Sequence, residues 1–186
     1  MGNHAARYMN GWRRRGELLV GALSGREAVL LRGMVGQIRD LLAARIAATP
    51  RDELVELTGI IAGPTTAPTD RVLARLLPDF HREDAALSGG MRALHEPELL
   101  AAKDGAAAVV LDTCPAHGGR IRLSQEQAQA WLTALNDVRL ALGTVLEVTE
   151  DMPDELPPDD PRSPHLAVYH WLTWVQESLI QALIST

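Results

Sequence analysis

Two serines one hundred positions apart open the same local device. "SGRE" at Ser24 and "SQEQ" at Ser124 share the form Ser-x-x-Glu/Gln. In that form the serine oxygen accepts from the third helical amide, and the Glu or Gln side chain reaches back to the serine N–H. Apolar residues follow at Ala28, Leu31, Val35, Ile38 and Leu42 after the first box, and at Ala128, Trp131, Leu135, Val138 and Leu142 after the second. Spacing by three and four puts each set on one buried helical face. Short extended runs, "ELLVGAL" and "RIRL", precede the two boxes. The pattern predicts two strand–cap–helix units whose strands can pair, the first helix reaching about Ala47. Internal duplication is one reading of the match; chance agreement between amphipathic helices is the other.

The rest of the chain carries further helix signals. "TPRDELVELTG" offers Thr49 as a cap, Pro50 at the first helical position and Gly59 as a stop. "IIAGPTTAPTD" reads as a loop, and "DRVLARLLPDF" as a brief helix ending before Pro78. "GGMRALHEPELLAAKDGAAAVVLDTCP" reads as two helical pieces meeting near Pro97. The proline-rich acidic stretch at about 149–163 is a linker, after which Ser163 and Pro164 start a last helix with Trp171 and Trp174. That helix is apolar around much of its circumference, which suits the centre of a bundle or, less often, a subunit contact. The expected fold is mainly α: a multi-helix bundle with a small two-stranded β element, in one domain over 17–186 behind a basic N-terminal arm, 1–16.

Charge and composition narrow the function classes. The chain has 186 residues, 46% hydrophobic and 23% charged, an ordinary globular balance. One cysteine excludes an internal disulfide and suggests a reducing compartment, so a cytoplasmic location is expected. The run "LLVGAL" falls far short of the roughly 20 apolar residues a membrane helix needs, so no membrane association is expected. Net charge is −6, and Arg7, Arg13, Arg14 and Arg15 put +4 on the first sixteen residues, leaving −10 on the remainder. A body this acidic repels phosphate backbones, so a DNA contact must be local, weak and salt-sensitive. "GWRRRG" is the candidate, with Arg13, Arg14 and Arg15 on phosphates and Trp12 stacking on a base; a solvated basic tail is the alternative.

Catalytic and metal signals are sparse. Cys114 and His117 form one C-x-x-H pair, whereas structural zinc needs four ligands, and His81, His95 or His165 could complete it only without a spacing signature. No metal and no cofactor are expected. Cys114 falls at a predicted helix C-terminus, where the dipole raises a thiol pKa, so packing is the first reading and redox reactivity the second. His95, Glu96 and Glu98 gather near Pro97 and read as helix-start chemistry; acid–base catalysis through them is a distant alternative. No phosphate loop or nucleophile elbow is present, and no enzyme is expected.

Several stretches go beyond generic helices: "RLLPDFHRED", "LHEPELLAAK", "LDTCPAHGGR", "WLTALNDVRLALGTVLEV" and "VYHWLTWVQESLI". In this order they resemble an actinobacterial family long known only as a domain of unknown function, some members of which are oxidation-sensing transcription regulators (the AosR-like proteins). The resemblance runs from about Trp12 to Leu183. It implies a cytoplasmic, non-enzymatic regulator active in oxidative stress at promoters, with RNA polymerase or a sigma factor as partner and a homodimer left open. A helical adaptor for another cytoplasmic protein is the alternative. An internal disulfide sensor needs two cysteines, so sensing here would need sulfenic acid or an intermolecular bond at Cys114.

Overall fold

Both serine boxes form. Ser24 Oγ accepts from the Glu27 amide at 3.3 Å while Glu27 Oε2 accepts from the Ser24 amide at 2.7 Å; Gln127 and Ser124 repeat the exchange at 3.2 and 3.0 Å. The computed structural model describes residues 11–48 and 63–185. Its elements run β1 (Arg13–Arg15), β2 (Leu18–Leu23), α1 (Gly25–Ala47), α2 (Arg71–Leu76), α3 (Ala85–Thr113), β3 (Gly119–Leu123), α4 (Gln125–Leu146) and α5 (Ser163–Ile184). The chain is mainly helical with a small sheet, as the periodicity predicts. The helix expected over "TPRDELVELTG" lies outside the described residues, as does Arg7.

The strands of the two capped units lie side by side. β2 pairs antiparallel with β3, Gly21 facing Ile121 at the centre, with Leu19 opposite Leu123 and Leu23 opposite Gly119 on either side. An offset of one hundred makes these positions equivalent, so a local two-fold exchanges the two strands. All five matched positions are buried in α1 and four of the five in α4, Leu142 alone being only half-buried.

The sheet has one strand more than expected. Arg13–Arg15 pair antiparallel with β2 through a two-residue turn at Gly16–Glu17, Gly16 taking φ +61° as a II′ hairpin requires. Residues 12–16 therefore belong to the folded body rather than to a free arm. Trp12 is 5% exposed and meets Trp131 edge-on, ring centres 5.3 Å apart. A Cβ on Gly21 would lie 2.8 Å from the Trp12 indole, so the glycine makes the space the ring fills. Trp12 is core, not a base-stacking side chain.

α4 is the central helix. It packs against α1, α2, α3 and α5, with Trp131 and Leu135 fully buried. Each such side chain contributes about 1.5–3 kcal/mol by leaving water. The expectation that the last helix takes the centre is corrected: α5 packs on α4 and β1 and leaves Trp174, Ile180 and Ile184 exposed.

α3 also departs from the sequence reading. It runs unbroken from Ala85 to Thr113 through Pro97 instead of forming two pieces. Proline removes the amide that would bond the carbonyl four residues back. That carbonyl, on Ala93, accepts from the Gly63 amide at 2.7 Å. Gly63 sits so close that a Cβ would be 2.9 Å from Pro97 Cδ. A loop backbone thus replaces the missing helical donor.

Candidate functional site

Alternation along β1 decides which arginines are available. Arg13 and Arg15 point to the outer face of the sheet; Arg14 points the other way and donates to the carbonyls of Ala182 (3.4 Å) and Leu183 (2.9 Å) at the end of α5. A cation there satisfies orphan carbonyls and opposes the negative dipole end. Of the three arginines expected to meet phosphate, Arg14 is committed to structure.

Two further arginines join the outer face. Arg13 and Arg122 both flank Val20, Arg15 flanks Leu18 and Arg120 flanks Ala22. Together with Gly11 and Gly21 these side chains line one open groove of about 600 Å³. All four guanidiniums are exposed, and among the described residues none is paired with a carboxylate. Glu17, at the hairpin tip, is outside the groove lining. β1 and β3 flank β2, so the two arginine pairs stand about 10 Å apart, with about 7 Å between members of a pair. Chemically this is a bidentate anion surface with an apolar floor of Leu18, Val20 and Ala22. The sequence reading missed Arg120 and Arg122; the alternation in "RIRL", once called a strand, was the signal.

Cys114 caps the C-terminus of α3 and is 2% exposed. Burial pushes its thiol pKa up, and the Arg32 guanidinium partly offsets that rise. Arg32 comes from α1 and donates to the carbonyls of Leu111 and Cys114, the latter at 2.7 Å. Thr113 Oγ1 accepts from Trp131 Nε1 at 2.7 Å. Gly118 (φ +79°) approaches the β2–α1 junction so closely that a Cβ would lie 2.5 Å from the Gly25 amide nitrogen. "LDTCPAHGG" is therefore a helix stop welded to the first capped unit. Among the described residues no three His, Cys, Asp or Glu side chains gather as a metal site.

The residues around Pro97 separate. His95 and Glu98 are exposed, whereas Glu96 is fully buried mid-helix, which corrects the helix-start reading. Glu96 Oε1 accepts from Arg45 Nε and Oε2 from Arg92 Nη1, both at 2.7 Å. Arg92, 1% exposed, also donates to Leu77 O, Pro78 O and Asp79 Oδ1; Arg45 donates to Thr66 O. The cluster ties α1 and α3 to the loops on either side of α2. Both guanidiniums and the Glu96 carboxylate are engaged in structure, while His95 and Glu98 face solvent. A second buried pair links Lys103, the chain's one lysine, to Asp137 at 2.6 Å. Burial raises the Asp137 carboxyl pKa, and Lys103 opposes the rise. Among the described residues no helix is long and apolar enough to cross a membrane.

Comparison with known proteins places the chain. The family model described as "Domain of unknown function (DUF2017)" matches residues 9–183. "Oxidative stress regulator AosR" of Mycobacterium tuberculosis (strain ATCC 25618 / H37Rv) is 42% identical, the match covering 89% of this chain and 82% of the relative. The protein of the same name from Mycobacterium bovis (strain ATCC BAA-935 / AF2122/97) matches to the same extent. No solved structure matches. With nearly its whole length inside the family's bounds, this chain belongs to the DUF2017 family.

Proposed function

We propose that this chain is a non-catalytic regulator of the oxidative-stress response, working in the cytoplasm at promoters together with RNA polymerase or a sigma factor. One observation carries the reading: 42% identity across 89% of the chain to relatives named oxidative stress regulators. The polar clusters agree with it, since Glu96, Arg92 and Arg45 are consumed by structure rather than aimed into a pocket. With one buried thiol the chain does not close an internal disulfide. The oxidant signal therefore reaches it through a partner or a slow modification of Cys114. The acidic remainder of the surface favours recruitment by protein contact over strong autonomous DNA binding.

The test is recovery of tagged protein from its native cells with and without oxidant. Co-purification of RNA polymerase subunits or a sigma factor supports the proposal. A second reading, a helical adaptor, is favoured by an open apolar groove of about 640 Å³ lined by Gly25, Arg26, Val29, Leu30 and His117. Recovery of one unrelated partner, indifferent to oxidant, would replace the first reading by the second.

A further inference from the structure

We infer that the outer face of the β1–β2–β3 sheet is a docking surface for duplex DNA, on which Arg13, Arg15, Arg120 and Arg122 neutralise phosphates across a major groove. The inference deepens the promoter reading and rests on it.

The first ground is what the arginines do elsewhere. Arg39 pairs with Asp104, Arg71 with Glu147, Arg92 with Asp79 and Glu96, and Arg162 with Asp160. Arg14 and Arg32 cap helix ends, and Arg139 bonds Thr173 and Gln176. Arg26, Arg75 and Arg82 are exposed without a carboxylate partner among the described residues, but they lie on three different segments, α1, α2 and the loop after α2. On the outer sheet face four guanidiniums stand together with no carboxylate partner among the described residues. Four like charges about 7–10 Å apart still repel one another at low salt, and a polyanion relieves that repulsion.

The second ground is shape. The register sets the arginines in a diagonal band: Arg15 beside Leu18, Arg13 and Arg122 on either side of Val20, Arg120 beside Ala22. From strand rise and spacing the four arginines span roughly 14 Å along the strands and about 10 Å across them. A major groove is about 12 Å wide and admits a β ribbon. The arginines of the outer strands then meet phosphates on the two walls, while Leu18, Val20 and Ala22, set back as the floor between them, make no base contact, so the surface reads the backbone and not the sequence. A peptide adding to this sheet would pair at the outer edge of β1 or β3 and not on its face; the face is an open groove floored by Leu18, Val20 and Ala22. With +4 removed from a net −6, the rest of the chain carries −10 and in sum repels DNA.

The experiment is fluorescence anisotropy of the full chain with a short labelled duplex over about 50–200 mM salt. Four phosphate contacts give a log–log slope of about −3.6. Arg120→Ala/Arg122→Ala and, independently, Arg13→Ala/Arg15→Ala should each make it shallower by about 2. Arg120→Lys/Arg122→Lys should keep the wild-type slope, and Arg82→Ala, on an exposed loop away from the sheet, should change nothing. Thermal melting followed by circular dichroism verifies that each variant folds. An unchanged slope in both alanine pairs, no duplex binding at the lowest salt, or polyglutamate competing as well as unlabelled duplex would overturn the inference. Recovery of polymerase from cells without duplex binding would sink this inference and leave the regulatory reading standing; duplex binding without polymerase or a sigma factor would do the reverse.

Discussion

Replacing Glu96 by glutamine removes one negative charge from between two guanidiniums and changes almost no volume. Both side-chain oxygens of Glu96 are used, at 2.7 Å each, and Arg92 is as buried as its partner. Glutamine keeps one acceptor but turns an N–H₂ group toward the other guanidinium, so a cation in the core loses its counter-charge. Breaking a buried pair in this way costs about 3–5 kcal/mol. The true cost should sit toward the lower end, because Asp79 and the carbonyls of Leu77 and Pro78 still hold Arg92. For a chain of this length each kcal/mol moves Tm by about 2–4 °C, so a fall of roughly 6–12 °C is expected. Thermal melting reads the fall in Tm and urea unfolding at neutral pH the free-energy loss, with the exposed Glu98→Gln as control, which should stay within about 0.5 kcal/mol of wild type. A Glu96→Gln loss below about 1 kcal/mol would refute the claim that this carboxylate holds α1, α3 and the flanking loops together.

Three further outcomes follow from the same geometry. Lys103→Met strands Asp137 in the core and should cost about 3–5 kcal/mol near neutral pH. Because the folded carboxyl pKa is raised, its stability contribution is fully present below the unfolded value and lost as pH rises through the folded one. The Lys103→Met deficit should therefore shrink on acidification, and a urea midpoint deficit independent of pH would count against it. Cys114, buried and raised in pKa, should stay unmodified in intact-mass spectra after a brief peroxide pulse, and Cys114→Ser should fold normally; rapid sulfenic-acid trapping or a disulfide-linked dimer would make it a sensor. Gly21→Ala forces a methyl into the Trp12 ring and should destabilise by about 1–3 kcal/mol, visible as a lower urea midpoint and altered tryptophan emission; a midpoint equal to wild type would contradict the close contact.

Local chemistry was legible in the sequence, and contacts between distant segments were not. The boxes at Ser24 and Ser124 are written in four consecutive residues each, and their helices and the pairing of the strands before them could be read directly. Pro97 misled because its local rule is to break a helix, while the donor that repairs the ladder comes from Gly63, 34 residues upstream. Glu96 was recoverable in principle: Ser88, Arg92, Glu96 and Leu100 share one helical stripe, but charges on such a stripe look solvated until their partners are known. The basic site was half legible. Three consecutive arginines suggested a tail, yet strand alternation sends Arg14 to α5 and brings Arg120 and Arg122 from the far unit to join Arg13 and Arg15. The last helix, apolar around much of its circumference, was expected at the centre because composition does not reveal which face stays uncovered; α4 holds that place instead.

The central claim is that this chain acts at promoters during oxidative stress. Chromatin immunoprecipitation of the tagged protein and of an RNA polymerase subunit, from the same native cells before and after a peroxide pulse, tests it most directly. The account predicts that the two co-occupy a set of promoters, that occupancy changes with oxidant, and that transcripts from those promoters lose their oxidant response when the protein is deleted. Absence of promoter enrichment under both conditions, with the transcript response intact in the deletion, would contradict it.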